Sequence, residues 1–253
     1  MLARQLIPHL PAKFRTYWEP FLGGGSLFFL LQPERAVLND ACVPLISTYK
    51  AVRDNPIAVL ARLIGKVVSR EAFEQLKSTR PTDAFEAAAR FIYLNKTAWN
   101  GLYRVNSKGD FNVPYGRPKS SNIVDPELLL ACSAALNRKS VRLAHGDFAA
   151  SLNNVEKGDL VFLDPPYVTT HNSNGFIDYN ERLFTWADQQ RLANIACGLR
   201  DLGAAVIVTN ASHGPVAELY PGFARYDLHR MSTLASEKSR RGPTLEAVFV
   251  GNG

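Results

Sequence analysis

The chain has 253 residues, 46% of them apolar and 21% charged, with a formal net charge of +6 and a pI near 9.3. This composition is typical of a globular protein, and no apolar run approaches the ~20 residues that a membrane span needs. The three cysteines are widely spaced and the five histidines show no metal-ligand spacing. We therefore expect no disulfide framework, no metal site and no membrane segment, and we expect a cytoplasmic protein.

The first fifty residues alternate between strand and helix patterns. The stretch "RTYWEPF" predicts a strand that a run of three glycines ends, and "SLFFLLQ" predicts a helix with Ser26 as a possible cap. The stretches "AVLND" and "VPLISTYKAV" repeat the strand and the helix. This order is typical of a parallel sheet.

From residue 54 the pattern becomes mainly helical and strongly basic. Apolar residues three and four apart predict helices up to about residue 100, and "DPELLLACSAAL" predicts a further one. Between them, Gly101–Arg117 predicts a β-hairpin around its "NSKGD" turn. Residues 51–139 hold 14 Lys and Arg but 8 Asp and Glu, so the whole excess charge lies here. Such a segment either binds a polyanion or presents solvated basic helices.

After residue 139 the strand and helix alternation resumes. The stretches "SVRLAHGDF", "DLVFL" and "AAVIVTN" predict strands, and a long helix ends near Gly203. The last two strand patterns, "ARYDLHRM" and "TLEAVFVG", predict an antiparallel pair at the sheet edge. We predict an α/β domain of residues 1–53 and 140–253 that is interrupted by a basic, mostly helical insert of residues 54–139.

A glycine loop follows the first predicted strand. Gly23, Gly24 and Gly25 allow a sharp turn and a close approach to a ligand beside a helix N-terminus. Asp40 follows the second strand, 17 residues after Gly23, where an acid is placed to bind ribose hydroxyls. The pattern favours a nucleoside cofactor, although the spacing is not GxGxxG. The alternative is a simple glycine turn followed by an Asn-Asp turn.

The stretch "FLDPPY" ends a continuous apolar strand with an acid, two prolines and an aromatic ring. The Asp164 carboxylate and the carbonyl groups of Pro165 and Pro166 are all acceptors, and Tyr167 offers a flat face. Such a group suits an exocyclic amine such as adenine N6 or cytosine N4, whose nitrogen could then attack a methyl group on a sulfonium. The alternative is a surface Pro-Pro loop.

Several stretches together resemble the Dam-type family of S-adenosylmethionine-dependent DNA adenine-N6 methyltransferases. They occur in the family's order, and they are "EPFLGGGSLFF", "VLNDACVPLISTYKAV", "FIYLNKTAWNGLYRVNSKGDFNVPYGR", "HGDF" and "FLDPPY". The resemblance implies a Rossmann-like methyltransferase sheet with an inserted target-recognition domain that carries a β-hairpin. It also implies methyl transfer from S-adenosyl-L-methionine to N6 of adenine in double-stranded DNA, at GATC or a related site, by base flipping. A monomer in a bacterial or phage-infected cell is expected.

The resemblance also implies the roles of individual residues. The catalytic group would be Asp164, Pro165, Pro166 and Tyr167. The cofactor would be bound by Glu19, Pro20, Phe21, Gly23, Gly25, Asp40, Asp147, Phe148 and Asp164, with Asp40 on the ribose and Asp147 and Phe148 around its adenine. DNA would be bound by Lys96, Trp99, Asn100, Leu102, Arg104, Asn106, Asn112, Pro114, Arg117 and Lys119.

Within the DNA-binding set, the resemblance distinguishes three kinds of contact. Trp99 would enter the base stack beside Asn100, Arg104 would read a guanine edge, and Lys96, Arg117 and Lys119 would contact phosphates. The residues alone favour a different role for Trp99, that of a buried core anchor beneath the hairpin.

Two alternatives remain at this point. Family members carry an upstream Gly-Gly-Lys segment that closes over the methionine part of the cofactor, and this chain starts at "MLARQLIPHL". One alternative, if the start is not misplaced and the chain not truncated, is therefore a catalytically weakened or inactive DNA-binding relative. The other is an RNA or cytosine-N4 methyltransferase, against which the hairpin stretch argues.

Overall fold

The computed structural model describes residues 2–106, 109–167, 184–212, 214–231 and 243–253. The chain divides into two compact units, one formed by Met1–Ala41 with Ser140–Gly253 and the other by Cys42–Lys139. We expected the insert to begin at residue 54, but the helix Val43–Asp54 belongs to the second unit because it packs against the helices Ala84–Thr97 and Pro126–Leu136.

The first unit is built on one sheet, whose strands in the described residues have the order β3-β2-β1-β4-β5-β7-β6. These strands are β1 Tyr17–Glu19, β2 Arg35–Asp40, β3 Ser140–His145, β4 Leu160–Leu163, β5 Ala205–Ala211, β6 Ala224–Met231 and β7 Pro243–Gly251. The first five are parallel, whereas β7 runs antiparallel between β5 and β6. The predicted α/β class and the antiparallel edge pair are both confirmed. The strand order reverses between β1 and β4, which is where open α/β sheets bind ligands.

The first unit also contains helices, most of which connect these strands. They span Leu2–Leu6, Ser26–Leu31, Phe148–Ser151, Trp186–Leu202 and Gly214–Ala217, with a 3-10 turn at Ile7–His9. The prediction of Ser26 as a cap was wrong, because Gly25 occupies the cap position in a left-handed conformation, with φ of 61°. The predicted end of the long helix near Gly203 is confirmed, since Gly203 is its C-cap with φ of 100°.

The core of the first unit centres on β4, in which all four residues are buried. Leu163 packs in one cluster with Val208 of β5, Phe249 of β7 and Leu192 of the helix Trp186–Leu202. Strands that are buried on both faces are expected to be continuously apolar, as this one is. The segment that follows β4 therefore starts from a fixed point in the core.

The second unit is mainly helical. Its helices span Val43–Asp54, Pro56–Leu63, Arg70–Ser78, Ala84–Thr97 and Pro126–Leu136, and a 3-10 turn spans Trp99–Gly101. The side chains of Asn55, Ser69, Asp83 and Asp125 each accept a hydrogen bond from a backbone N–H of the following helix, as helix caps do. These polar residues explain where the helices begin.

The predicted hairpin lies in the second unit as an irregular antiparallel pair. Val105 pairs with Phe111, and the Asn112 N–H donates to the Arg104 carbonyl at 3.0 Å. Phe111 and Tyr103 pack with buried Phe73 in the apolar core of this unit. Residues 107 and 108 of the predicted "NSKGD" turn lie outside the described residues.

Candidate active site

The carboxyl ends of the parallel strands gather most of the residues predicted to bind the cofactor or the target amine. Glu19 ends β1 and the loop after it runs to Gly25, Asp40 ends β2, Asp147 follows β3, and Asp164 follows β4. Parallel strands bring the ends of distant segments to one edge of the sheet. The site is therefore assembled by the topology of the first unit.

The glycine loop is tied to the end of β2. The Gly23 N–H donates to the Asp40 carboxylate at 2.9 Å, and the Leu22 N–H donates to the Asn39 carbonyl at 2.9 Å. The buried Asn39 side chain donates to the carbonyl groups of Pro20, at 3.2 Å, and Gly146, at 3.0 Å. The structure thus brings Gly23 and Asp40 together. It also shows that Asn39, which the sequence did not indicate, joins the loop after β1 to the loop after β3.

Glu19 is a buried acid beneath this loop, with only 2% of its surface exposed. The Tyr17 hydroxyl donates to its carboxyl group at 2.9 Å. Burial most of all, together with the charges of Asp164 and Asp40, raises the pKa of Glu19 to about 8, although the hydrogen bonds from Tyr17 and the Phe28 backbone lower it. Burial also holds the pKa of Tyr17 well above its usual value. Glu19 therefore retains its proton near neutral pH unless a positive charge is bound nearby.

An aromatic cluster lies beside the loop. The ring of Phe21 stacks on that of Phe148 at 5.3 Å between centroids, and Phe184 lies 5.6 Å from each of them. The guanidinium of Arg191 lies 4.4 Å above Phe148 and forms an ion pair with Asp147. Phe21, Asp147 and Phe148 are thus together, as the resemblance implied. Phe184 and Arg191 were missed, because neither belongs to a motif of the sequence.

The residues Asp164–Tyr167 form a half-buried elbow at the end of β4. Pro165 is buried, and the other three residues are partly buried, so the alternative of a surface Pro-Pro loop is wrong. The hydroxyl groups of Thr209 and Tyr167 both donate to Oδ1 of Asp164, the latter at 3.3 Å. Burial first, and then the charge of Asp164, raises the pKa of Tyr167, so its hydroxyl stays a donor.

One detail of the elbow differs from the sequence analysis. We expected the carbonyl groups of both prolines to be available as acceptors for an amine. The Pro166 carbonyl instead accepts a hydrogen bond from the Gln189 side chain at 3.1 Å. The Asp164 carboxylate and the Pro165 carbonyl are therefore the better pair of acceptors for a substrate amine.

The residues predicted to bind DNA lie in the second unit. Most of them are exposed, namely Lys96, Trp99, Asn100, Asn106, Pro114, Arg117 and Lys119, whereas Leu102, Arg104 and Asn112 are partly exposed. The Arg104 side chain donates to the Asn112 side chain at 2.8 Å across the hairpin. Trp99 is 37% exposed on its 3-10 turn, so the alternative of a buried core anchor is wrong. Phe111 and Val113 are the hairpin's buried apolar residues.

The chemistry of the first unit suits a nucleoside cofactor with a positive charge. The carboxyl groups of Asp40 and Asp164 supply acceptors and negative charge, Glu19 adds a carboxyl group that a bound cation would ionise, and the cluster of Phe21 and Phe148 supplies an apolar surface. Within the described residues, no group of His, Cys, Asp and Glu could hold a metal ion. No helix of the described chain has the length and apolarity needed to cross a membrane.

Comparison with known proteins agrees with this assignment of chemistry. A family model for the D12 class of N6 adenine-specific DNA methyltransferases matches residues 1–234. The type II methyltransferase M1.LlaDCHI of Lactococcus lactis subsp. cremoris is 37% identical to the chain, over 99% of the chain and 92% of that protein. The type II methyltransferase M.MjaIII of Methanocaldococcus jannaschii is 36% identical, over 83% and 79%. The DNA adenine methylase of Escherichia coli strain K12 is 31% identical, over 92% and 84%.

Proposed function

The chain belongs to the D12 class of N6 adenine-specific DNA methyltransferases, and on this premise we propose that it transfers a methyl group from S-adenosyl-L-methionine to N6 of adenine in double-stranded DNA. The observation that carries the proposal is the placement of Asp164 at the carboxyl end of β4, on the same sheet edge as the loop tied to Asp40. This placement supports a site for a polar amine and a site for a nucleoside in the first unit.

The cofactor would supply an electrophilic methyl group on a positively charged sulfur. Asp40 would accept hydrogen bonds from the ribose hydroxyls, while Asp147 and Phe148 would bind the adenine ring. Glu19 and the backbone of Gly23 and Gly25 would line the methionine end. The acids near this end match the positive charge of the sulfonium, which is why this cofactor suits the site better than an anionic dinucleotide.

The elbow after β4 would activate the target amine. The Asp164 carboxylate and the Pro165 carbonyl would each accept a hydrogen bond from one N–H of the amine. This arrangement favours a tetrahedral nitrogen whose lone pair is available for attack on the methyl group. The ring of Tyr167 would stack on the base, with its hydroxyl held by Asp164. Positioning and electrostatics would then provide most of the catalysis.

The second unit would recognise the duplex. Its exposed Lys96, Arg117 and Lys119 would contact phosphates, and Trp99 would occupy the stack as the adenine flips out. The hairpin would read the bases, with Arg104 on a guanine, and the resemblance makes GATC or a close relative the expected site. The excess of positive charge in this unit supports the proposal.

The test is methyl transfer to a defined plasmid. The chain, S-adenosyl-L-methionine with a labelled methyl group and unmethylated plasmid carrying GATC sites would be incubated and then digested with restriction enzymes that sense GATC methylation. Mass analysis of the nucleosides would separate N6-methyladenine from N4-methylcytosine. We expect protection from digestion and labelled N6-methyladenine. No label at high cofactor concentration, with DNA binding retained, would instead indicate an inactive DNA-binding relative.

The variant Asp164→Ala tests the assigned chemistry. Loss of the carboxylate removes the main acceptor for the amine, so we expect transfer to be abolished while DNA binding stays largely intact. Asp201→Ala is a matched control, because Asp201 is an exposed acid of the same unit whose ion pair, among the described residues, is with the adjacent Arg200. Turnover by Asp164→Ala at the wild-type rate would refute the role of Asp164.

A further inference from the structure

Three polar side chains lie completely buried behind the elbow of Asp164–Tyr167. They are Gln189 on the helix Trp186–Leu202 and Thr209 and Asn210 on β5, each with 0% of its surface exposed. Burying polar groups is unfavourable unless they are hydrogen bonded. Their partners therefore show what this arrangement holds in place.

The two buried amides form a chain of hydrogen bonds with a fixed direction. The Ala211 N–H donates to the Asn210 side-chain oxygen at 2.8 Å, which leaves the Asn210 nitrogen to donate to the Gln189 oxygen at 3.0 Å. The Gln189 nitrogen then donates to the Pro166 carbonyl at 3.1 Å. Because a backbone N–H can only donate, it determines the orientation of both amides. The Pro166 carbonyl thus receives a donor whose position is fixed by β5.

Thr209 acts on the carboxylate rather than on the backbone. Its hydroxyl donates to Oδ1 of Asp164, the same oxygen that accepts from the Tyr167 hydroxyl. Thr209 also approaches the Leu163 carbonyl, but at 3.4 Å, and a hydroxyl carries one proton. The carboxylate is the stronger acceptor, so Thr209 fixes the rotation of Asp164.

We propose that Thr209 and Gln189 are positioning residues for methyl transfer, Thr209 by holding the Asp164 carboxylate and Gln189 by holding the backbone of the Pro-Pro elbow. The inference rests on the proposed function, in which Asp164 binds the target amine. Neither side chain needs to touch the substrate or the cofactor. The acceptors must be aligned before the amine arrives, and small displacements of such groups lower rates strongly.

The principal test is the pair Thr209→Val and Thr209→Ser. Valine keeps the shape of threonine but removes the donor, whereas serine keeps the donor. With DNA and cofactor both saturating, we expect Thr209→Val to lower the single-turnover rate by about 10- to 100-fold. Thr209→Ser should recover most of that rate. Dissociation constants for cofactor and DNA should change little in either variant.

Gln189→Met provides an independent second variant of similar length. The methionine side chain carries no donor for the Pro166 carbonyl, whereas a buried glutamic acid would keep its proton and could still donate. We expect a lower single-turnover rate with nearly unchanged cofactor and DNA affinity. This variant keeps the proposal testable if Thr209→Val does not fold, which thermal unfolding would reveal.

The outcomes distinguish a failure of the positioning role of Thr209 and Gln189 from a failure of the proposed methyl transfer. Rates within twofold of wild type in Thr209→Val and Gln189→Met, with Asp164→Ala inactive, would overturn the positioning role alone. Loss of affinity in proportion to the loss of rate would indicate a merely structural role and would also overturn it. An Asp164→Ala variant as active as wild type would refute the role of Asp164 on which this inference rests, whereas no methyl transfer by the wild-type chain would remove the proposed function itself.

Discussion

At the scale of single residues, Tyr17 and Glu19 form a pair of buried ionisable side chains. They lie two positions apart on β1, so their side chains leave the strand on the same face. Both are buried, and they share a hydrogen bond. The raised pKa of Glu19 arises mainly from this burial and partly from Asp164 and Asp40, which lie far away in the sequence.

The pKa of Glu19 makes the stability of the protein depend on pH. Its value is about 8 in the folded chain against 4.5 for an unperturbed glutamate, so the folded state holds the extra proton between these values. The contribution to stability is full below about pH 4.5 and falls as pH rises through 8, by up to about 5 kcal/mol.

Glu19→Gln should remove this dependence. Without cofactor, we expect the urea-unfolding free energy of wild type to fall between pH 5 and 8 more steeply than that of the variant, because glutamine does not titrate. Urea titrations at four pH values would measure the difference. Parallel curves for the two proteins would show that Glu19 is already ionised in the folded state.

At the scale of elements, Gly116 allows the hairpin to lie close against the end of the helix Ala84–Thr97. A Cβ atom at Gly116 would lie 2.4 Å from the Ala98 carbonyl oxygen, a contact that real structures do not tolerate. The Gly116 N–H donates to the Thr97 carbonyl at 2.8 Å, and the Trp99 N–H donates to the Pro114 carbonyl at 2.9 Å. The returning strand of the hairpin thus lies directly against the turn that carries Trp99.

Gly116→Ala should separate these two elements. We expect DNA affinity to fall by at least tenfold, because Trp99 and the hairpin lose their mutual alignment, while cofactor affinity stays near wild type. Gel-shift and calorimetric titrations would measure the two affinities. Gly198→Ala is the matched control, since Gly198 lies in a helix where an added Cβ atom would meet nothing within 4 Å beyond its own helix backbone, and alanine favours helices. Equal DNA affinity in both variants would contradict this role of Gly116.

Local patterns predicted the elements better than the contacts between them. The strands and long helices follow from apolar periodicity, which depends on neighbouring residues. Gly116 and Asp159 do not, because their importance comes from distant partners. Asp159, the residue directly before β4, is buried. Its carboxylate accepts a hydrogen bond from the Trp18 ring nitrogen at 2.8 Å, across 141 positions of the sequence. For the same reason, the sequence indicated Asp164 but not the Thr209 and Gln189 that hold its elbow.

At the scale of the whole molecule, charge is divided between the units. The segment Cys42–Lys139 contains 15 Lys and Arg against 8 Asp and Glu, whereas the rest of the chain is close to neutral. This asymmetry is larger than the sequence analysis gave, because Lys50 belongs to the second unit. Nonspecific attraction to a polyanion should therefore depend mainly on the second unit.

Salt should weaken DNA binding much more than cofactor binding. The logarithm of the DNA association constant should fall linearly with the logarithm of salt concentration, and Lys119→Ala should reduce the magnitude of that slope by about one. Lys13→Ala is the control, because Lys13 is an exposed cation of the first unit that precedes β1. Fluorescence anisotropy with a labelled GATC duplex would give both slopes. An unchanged slope in Lys119→Ala would exclude a phosphate contact there.

The continuity of the second unit has a consequence for how new specificities arise. Cys42–Lys139 is one uninterrupted segment between β2 and β3, which are adjacent parallel strands joined by six residue pairs from Arg35 and Ser140 to Asp40 and His145. A single recombination event at each end would exchange the whole second unit, which we propose recognises DNA, while preserving the strands of the sheet. Exchange of this segment, in evolution or in a laboratory chimera, could thus change the DNA sequence that is recognised without changing the residues of the proposed active site.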